Sequence, residues 1–263
     1  MQFKLQRIGS VGRHFFQGIT RKNFGISAQG SHIPILTYHQ IGLSKETDSP
    51  SIYLSRDDFQ KHIEWLLRQK YEFVGLNEVV DAINRGKKAS EKKVIITFDD
   101  GYEGIYQHAF PVLKKHKLMA TVFLISNKIG TAEKFSYLDK AQIQELQRHG
   151  FEFGSHSLSH KDLSVLNETE LISEVRDSKK KIEDLLGQAC PHFCYPYGKW
   201  NQKVQTRVRD AGYQSACSSL NGRWNTAEDL FALKRIGISY QQTLLELWYG
   251  LEIMGWVSPE GLK

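Results

Sequence analysis

Lys93-Val94-Ile95-Ile96-Thr97-Phe98-Asp99-Asp100-Gly101-Tyr102 decides how this chain is read. Val94 to Phe98 is an unbroken run of β-branched and apolar side chains, the pattern of a buried strand. Two carboxylates and a glycine end it, and the glycine lets the backbone turn tightly. In an α/β barrel, reactive groups collect where strands end at their C-terminal side. Adjacent carboxylates repel unless a cation or a proton lies between them. The pair therefore asks for a metal ion.

Outward from this strand, extended runs alternate with helical patterns. Ile35 to His39 reads as a strand, and Ser55 caps a helix whose apolar face is Phe59, Ile63, Leu66 and Leu67. Tyr71 to Val74 is a short extended piece, and Asn77 to Arg85 a helix closed by Gly86. After the central strand come a helix over 103–117, a strand over 121–125, a helix over 140–149 and a strand over 151–154. Asn167 and Gly187 bracket the longest helix, 168–186. Strands at 193–195, 214–217 and 233–239 follow, with helices at 202–211 and 243–254 and a polar loop at 218–229. Strands alternating with helices of this length imply parallel pairing through right-handed crossovers. Seven or eight strands favour a barrel over an open sheet.

The chain has 263 residues, enough for one large α/β domain. No stretch approaches the roughly 20 apolar residues that span a bilayer. The net charge of +6 is modest, and no basic stripe interleaved with aromatics points to nucleic acid. The three cysteines (Cys190, Cys194 and Cys217) are an odd number in a long chain and read as small buried residues, not a disulfide framework. Residues 1–32 stand apart as a basic extension, with Lys4, Arg7, Arg13, Arg21 and Lys22 and no acidic residue before Glu46. Leu5, Ile8, Val11, Phe15 and Ile19 allow an amphipathic helix for peripheral membrane contact, while Gly9, Gly12 and Gly18 favour an arm packed on the domain. The extension makes a poor secretory signal, so a cytoplasmic location is expected, if anything at the inner face of the membrane.

Two further segments carry chemistry. His156-Ser157-Leu158-Ser159-His160 leaves a strand through Gly154 and brings two imidazoles within reach of one ion. Imidazole with carboxylate suits zinc or another first-row divalent ion. In Cys194-Tyr195-Pro196-Tyr197-Gly198, Pro196 fixes the chain and Gly198 permits an unusual turn, a geometry that can aim a backbone N–H into a pocket. An oxyanion hole needs such a donor.

In order and spacing these segments resemble the motifs of the polysaccharide deacetylase family (NodB homology, carbohydrate esterase family 4). Thr97 to Gly101 match its T-F-D-D-G motif, His156 to His160 its H-S/T-x-x-H motif, and Cys194 to Gly198 part of R-x-P-Y-G. Pro34 to His39 looks like the first strand of the poly-N-acetylglucosamine deacetylase branch. The resemblance covers about residues 33 to 240 and implies an α/β fold, an incomplete (β/α)7-type barrel, within a domain running from 33 to 263. It further implies one divalent ion (Zn first; Co, Ni or Mn as alternatives), held by Asp100, His156 and His160. Asp99 would be the general base and Tyr197 the oxyanion donor. The substrate would be an acetylated sugar or glycan, losing an acetyl group, most simply N-acetyl.

Two departures matter. Cys194 stands where the family motif has an arginine beside the base, and Arg235, from the last strand, is a candidate for that charge or for the substrate-binding side. Leu233-x-Arg235 stands where the family often has L-x-H, and arginine does not donate its proton. The catalytic acid is then unassigned, with His39 a candidate beside a structural role. Pro196 and Trp224 are counted with the substrate, and Trp200 with either a sugar ring or the core. The alternatives are a cyclic-amide hydrolase on the same metal site and a catalytically silent glycan-binding protein. A two-carboxylate glycosidase needs carboxyls about 5 Å or more apart on opposite sides of one bond, which adjacent aspartates do not provide.

Overall fold

In the computed structural model, which describes residues 30–42, 51–85, 92–239 and 242–252, the central run forms the strand expected of it. It is one of seven parallel strands: β1 (Ile35–Tyr38), β2 (Lys93–Phe98), β3 (Thr121–Leu124), β4 (Glu152–Ser155), β5 (His192–Cys194), β6 (Ser215–Asn221) and β7 (Leu233–Gly237). The order around the sheet is β1-β7-β6-β5-β4-β3-β2, and β2 pairs with β1 (Leu36 opposite Ile96, Tyr38 opposite Phe98), which closes it into a barrel. A short eighth strand, Glu72–Phe73, lies on the first residues of β2.

Alternation along each strand sorts side chains into two environments. Outward, Leu36, Tyr38, Ile96, Phe98, Val122, Leu124, Phe153 and Phe193 meet the helices in the larger core. Those helices are α1 (Arg56–Arg68), α2 (Leu76–Arg85), α3 (Phe110–Lys115), α4 (Lys140–Arg148), α5 (Glu168–Leu186), α6 (Gln202–Asp210) and α7 (Leu244–Glu252). Inward, Ile35, Ile95, Phe123, Leu233, Cys194 and Cys217 form a second apolar cluster with Leu76, Val79 and Ile83 of α2, which closes the end where the strands begin. Glu152 accepts the Leu76 N–H at 2.7 Å, so this barrel residue caps the helix that plugs it. Nearer the strands' C-terminal ends the inward positions turn polar: Thr37, Thr97, Arg235, Asp99 and His156 are all buried.

The expected elements return with shifted ends, and α5 keeps both of its caps: Asn167 accepts from the Glu170 N–H, and Gly187 is left-handed at φ +66°. Two expectations are corrected. The helix expected over 103–117 opens instead as a π-turn, Ile105–Ala109, before α3. Pro111 has no N–H for an α-type bond to Gln107, and the Phe110 N–H reaches back to Ile105. Part of the polar loop expected over 218–229 is strand: β6 continues to Asn221, and Asn225–Thr226 pairs antiparallel with Gly30–Ser31. Between β6 and β7 the only helical piece is a 3-10 turn, so this is the barrel's one crossover without an α-helix among the described residues. The basic extension up to residue 29, the loop at 43–50 and Gly86 lie outside the described residues. No described helix is long and apolar enough to cross a membrane.

Candidate active site

The site forms where β2, β4, β5 and β7 end. Asp99 is fixed by its own N–H, which donates to the Tyr38 carbonyl at 2.9 Å. Asp100 follows in the left-handed region (φ +70°) and Gly101 repeats it (φ +76°). A Cβ on Gly101 would also meet the Leu124 side chain at 2.9 Å, so the glycine is required twice over. Ser157 (φ +67°), His160 (φ +63°) and Tyr197 (φ +57°) adopt the same costly conformation. Such backbone persists only where the surroundings over-determine it, and here four of these residues surround one point.

The adjacent carboxylates have different fates. Arg235 reaches across from β7 and binds Asp99 through both oxygens, Nη1–Oδ1 at 2.8 Å and Nη2–Oδ2 at 2.7 Å. Its remaining donors go to the Ser218 carbonyl (3.0 Å), the Thr97 hydroxyl (3.3 Å) and the Cys194 sulfur (3.2 Å), so all five guanidinium N–H groups have acceptors. Burial alone would lift the Asp99 pKa. The charge and hydrogen bonds of Arg235, helped by His156 and His39, reverse this and hold Asp99 well below the usual carboxylate range. Asp100 has no such partner. Burial first and Asp99 second push it up to about 7, against a hydrogen bond from the Tyr102 hydroxyl.

Asp100 Oδ1 faces both imidazoles, 3.5 Å from His156 Nε2 and 3.3 Å from His160 Nε2. Tetrahedral ligands on bonds of about 2.1 Å lie about 3.4 Å apart, so these separations fit one ion between them. His156 Nδ1 is 2.8 Å from the Cys194 carbonyl, which only an N–H can satisfy; the proton sits on Nδ1 and Nε2 keeps its lone pair. Burial, above all, pushes the His156 pKa down to about 3, and burial lowers His160 too, so both imidazoles are neutral at ordinary pH, the form that binds a metal. The donor set therefore fits a divalent cation, and the raised Asp100 is the carboxylate such a cation would ionise. Asp99, His156 and Cys194 also lie within reach of one another, but Asp99 is already committed to Arg235.

Residues 86–216 match the family described as Polysaccharide deacetylase. YxkH of Bacillus subtilis (strain 168), itself named for the polysaccharide deacetylases, is 33% identical over 207 residues, 79% of this chain and 71% of that protein. The chain belongs to the polysaccharide deacetylase family. A poly-β-1,6-N-acetyl-D-glucosamine N-deacetylase of Staphylococcus aureus (strain MRSA252) is 29% identical over 221 residues, 79% of this chain and 75% of that one. Among solved structures, the Streptococcus pyogenes deacetylase PplD in complex with acetate superposes with a TM-score of 0.76 at 26% identity, covering 84% of this chain and 98% of that one. Membership makes the protein a carbohydrate deacetylase, a hydrolase.

In this polysaccharide deacetylase, Asp99, Asp100, His156, His160 and Tyr197 come together as the sequence suggested, the Tyr197 ring 4.5 Å from that of His160. Three expectations for the substrate side change. Arg235 is only 5% exposed and spends every donor within the protein, so it orients Asp99 and offers nothing to a sugar. Pro196 is buried and sets the turn before Tyr197. Trp224 packs on His32, ring centroids 3.6 Å apart, where β1 begins, at the end of the barrel away from Asp99. Trp200 stacks on Tyr195 against the core. His39 enters the site instead, its Nε2 3.9 Å from Asp99 Oδ2 and its side chain 24% exposed. Sequence reasoning missed Tyr102 and Glu174. Glu174 had a signal: it falls in the α5 stripe Leu171, Glu174, Ser178, Ile182, where a charge among inward positions needs partners.

Proposed function

We propose that this protein is a metal-dependent carbohydrate deacetylase acting on N-acetyl groups of a glucosamine-containing glycan. The observation that carries this reading is the divergence of two neighbouring carboxylates, one held ionised by Arg235, the other facing two neutral imidazoles. Asp100, His156 and His160 would hold one divalent ion, with zinc matching their carboxylate and nitrogen donors. Bound there, such an ion lowers the pKa of a water and polarises a carbonyl.

The protein's own groups do the rest. Asp99 accepts the proton of the attacking water as its oxygen bonds to the acetyl carbon, and Arg235 keeps that carboxylate aimed. The Tyr197 backbone N–H donates to the oxygen on which charge develops. As the carbon–nitrogen bond breaks, the nitrogen takes a proton, leaving acetate and a free amine. His39, beside Asp99 and partly open to solvent, is placed to pass it on. The named activity of the Staphylococcus aureus relative supports the N-acetylglucosamine substrate. The test is acetate release from N-acetylated β-1,6-linked glucosamine oligomers by the zinc-loaded protein. Turnover lost on chelation and restored by zinc is the expected result. Activity indifferent to a chelator that empties the protein of metal would refute metal dependence.

A further inference from the structure

Every backbone N–H in the segment that carries both imidazoles has an acceptor. The His156 N–H donates to the Leu124 carbonyl (2.8 Å), the Ser157 N–H to Ser155 Oγ (3.2 Å) and the His160 N–H to Ser157 Oγ (2.9 Å). The carbonyls of Ser157 and Leu158 accept from the Ser126 and Asn127 N–H groups at 3.2 and 2.9 Å. The N–H donors in the middle of the loop are different, because they all turn to a single distant residue. Glu174 Oε2 accepts the Leu158 N–H at 3.0 Å and the Ser159 N–H at 2.9 Å, and Oε1 takes the Ser159 hydroxyl. The Leu158 N–H is shared with the main-chain carbonyl of Glu174, whereas the Ser159 amide and hydroxyl depend on the carboxylate.

Glu174 is 4% exposed, rooted in the inward stripe of α5 and ringed by neutral donors. Burying a carboxylate is costly, and three convergent donors are what offset that cost. Those donors are flanked on both sides by residues in a conformation that L side chains resist: Ser157 and His160 at φ +67° and +63°. A strained loop relaxes unless something rigid holds it, and α5, capped at both ends, is rigid.

We infer that Glu174 is a positioning residue for the ion site, its carboxylate clamping the loop between His156 and His160 so that both imidazoles face Asp100. The inference rests on the reading of Asp100, His156 and His160 as ion ligands. Glu174 lies outside the group of Asp100, His156 and His160 that would hold the ion.

The test is zinc affinity, measured by competition with a chromophoric chelator for the wild type, Glu174→Gln, Glu174→Ala and Ser159→Ala, each shown folded by circular dichroism. Groups that orient ligands from outside typically change metal affinity about 10- to 100-fold. About tenfold weaker binding is expected for Glu174→Gln, about 100-fold for Glu174→Ala, and a smaller loss for Ser159→Ala, with faster hydrogen exchange at the Ser159 amide. A role confined to stability would lower the metal-free melting temperature and leave affinity alone. Zinc affinity within twofold of wild type in folded Glu174→Gln and Ser159→Ala would overturn the inference while leaving the ion site standing. A wild type that binds no zinc would overturn both.

Discussion

Asp99 and Asp100 are neighbours in sequence and opposites in chemistry. The difference comes from one guanidinium: Arg235 saturates both oxygens of Asp99 and none of Asp100. A lysine cannot reproduce that paired geometry. Arg235→Lys is therefore expected to let the Asp99 pKa rise, because a weaker cation contact stabilises the carboxylate less. The acidic limb of kcat/KM should move up by about one pH unit or more, with kcat falling and KM little changed. An unmoved limb would show that Arg235 does not set the base. The sequence made Asp99, Asp100, His156 and His160 legible as site candidates, because carboxylates at a strand end and paired histidines are local patterns. Arg235 was legible only as a candidate for two roles, since choosing between them requires knowing that β1 alone separates β7 from β2 in the barrel. His39 was ambiguous for the same reason: a histidine at a strand end acquires meaning from what the adjacent strand places beside it.

At the scale of elements, the loops after the strands carry the function and their backbone is the constraint. Tyr197 needs its left-handed conformation, and Gly198 after it (φ +65°) has the Ser219 side chain where a Cβ would go, 1.9 Å away. Gly198→Ala should displace Ser219, shift the Tyr197 N–H and lower kcat by about 10²-fold, the order lost with one oxyanion donor. Tyr197→Gly keeps both the N–H and the conformation and should retain most of kcat. Equal losses in the two variants would remove Tyr197 from the oxyanion role. Trp224→Ala should leave KM for the glycan unchanged within about twofold, the change at a site remote from the chemistry; a large rise would return this residue to the substrate. α5 was legible end to end because Asn167 and Gly187 are strong local signals. The π-turn and the long β6 were not, because the first follows from one proline inside an apolar helical pattern and the second from pairing partners distant in sequence.

For the whole molecule, alternation divides the barrel into an apolar plug at the end where strands begin and a polar chamber at the other. Periodicity shows which residues are buried but does not separate the barrel's interior from its helix-facing surface, since both are apolar over most of each strand. Buried histidines couple this architecture to pH. Burial pushes His192 down to about 4, where it bonds Ser215 and Asn77, and lowers His62 on α1. With folded pKa values below the unfolded value of about 6.5, both groups contribute stability that is present above pH 6.5 and lost as pH falls below it, for His192 down to about 4. Keeping His192 neutral costs about 1.4 kcal/mol per pH unit in that window. Thermal melts should show the midpoint falling steeply below pH 6, and His192→Gln should flatten that slope; an identical slope in a folded variant would contradict the assignment.

The central claim is that Asp100, not Asp99, belongs to an ion site with His156 and His160. Elemental analysis of the purified wild type beside Asp100→Ala and Asp99→Asn, each supplied with zinc and then desalted, tests it most directly. The account predicts about one zinc per chain in the wild type and in Asp99→Asn, which should be inactive, and none in Asp100→Ala. Zinc retained by Asp100→Ala, or lost from Asp99→Asn alone, would contradict it.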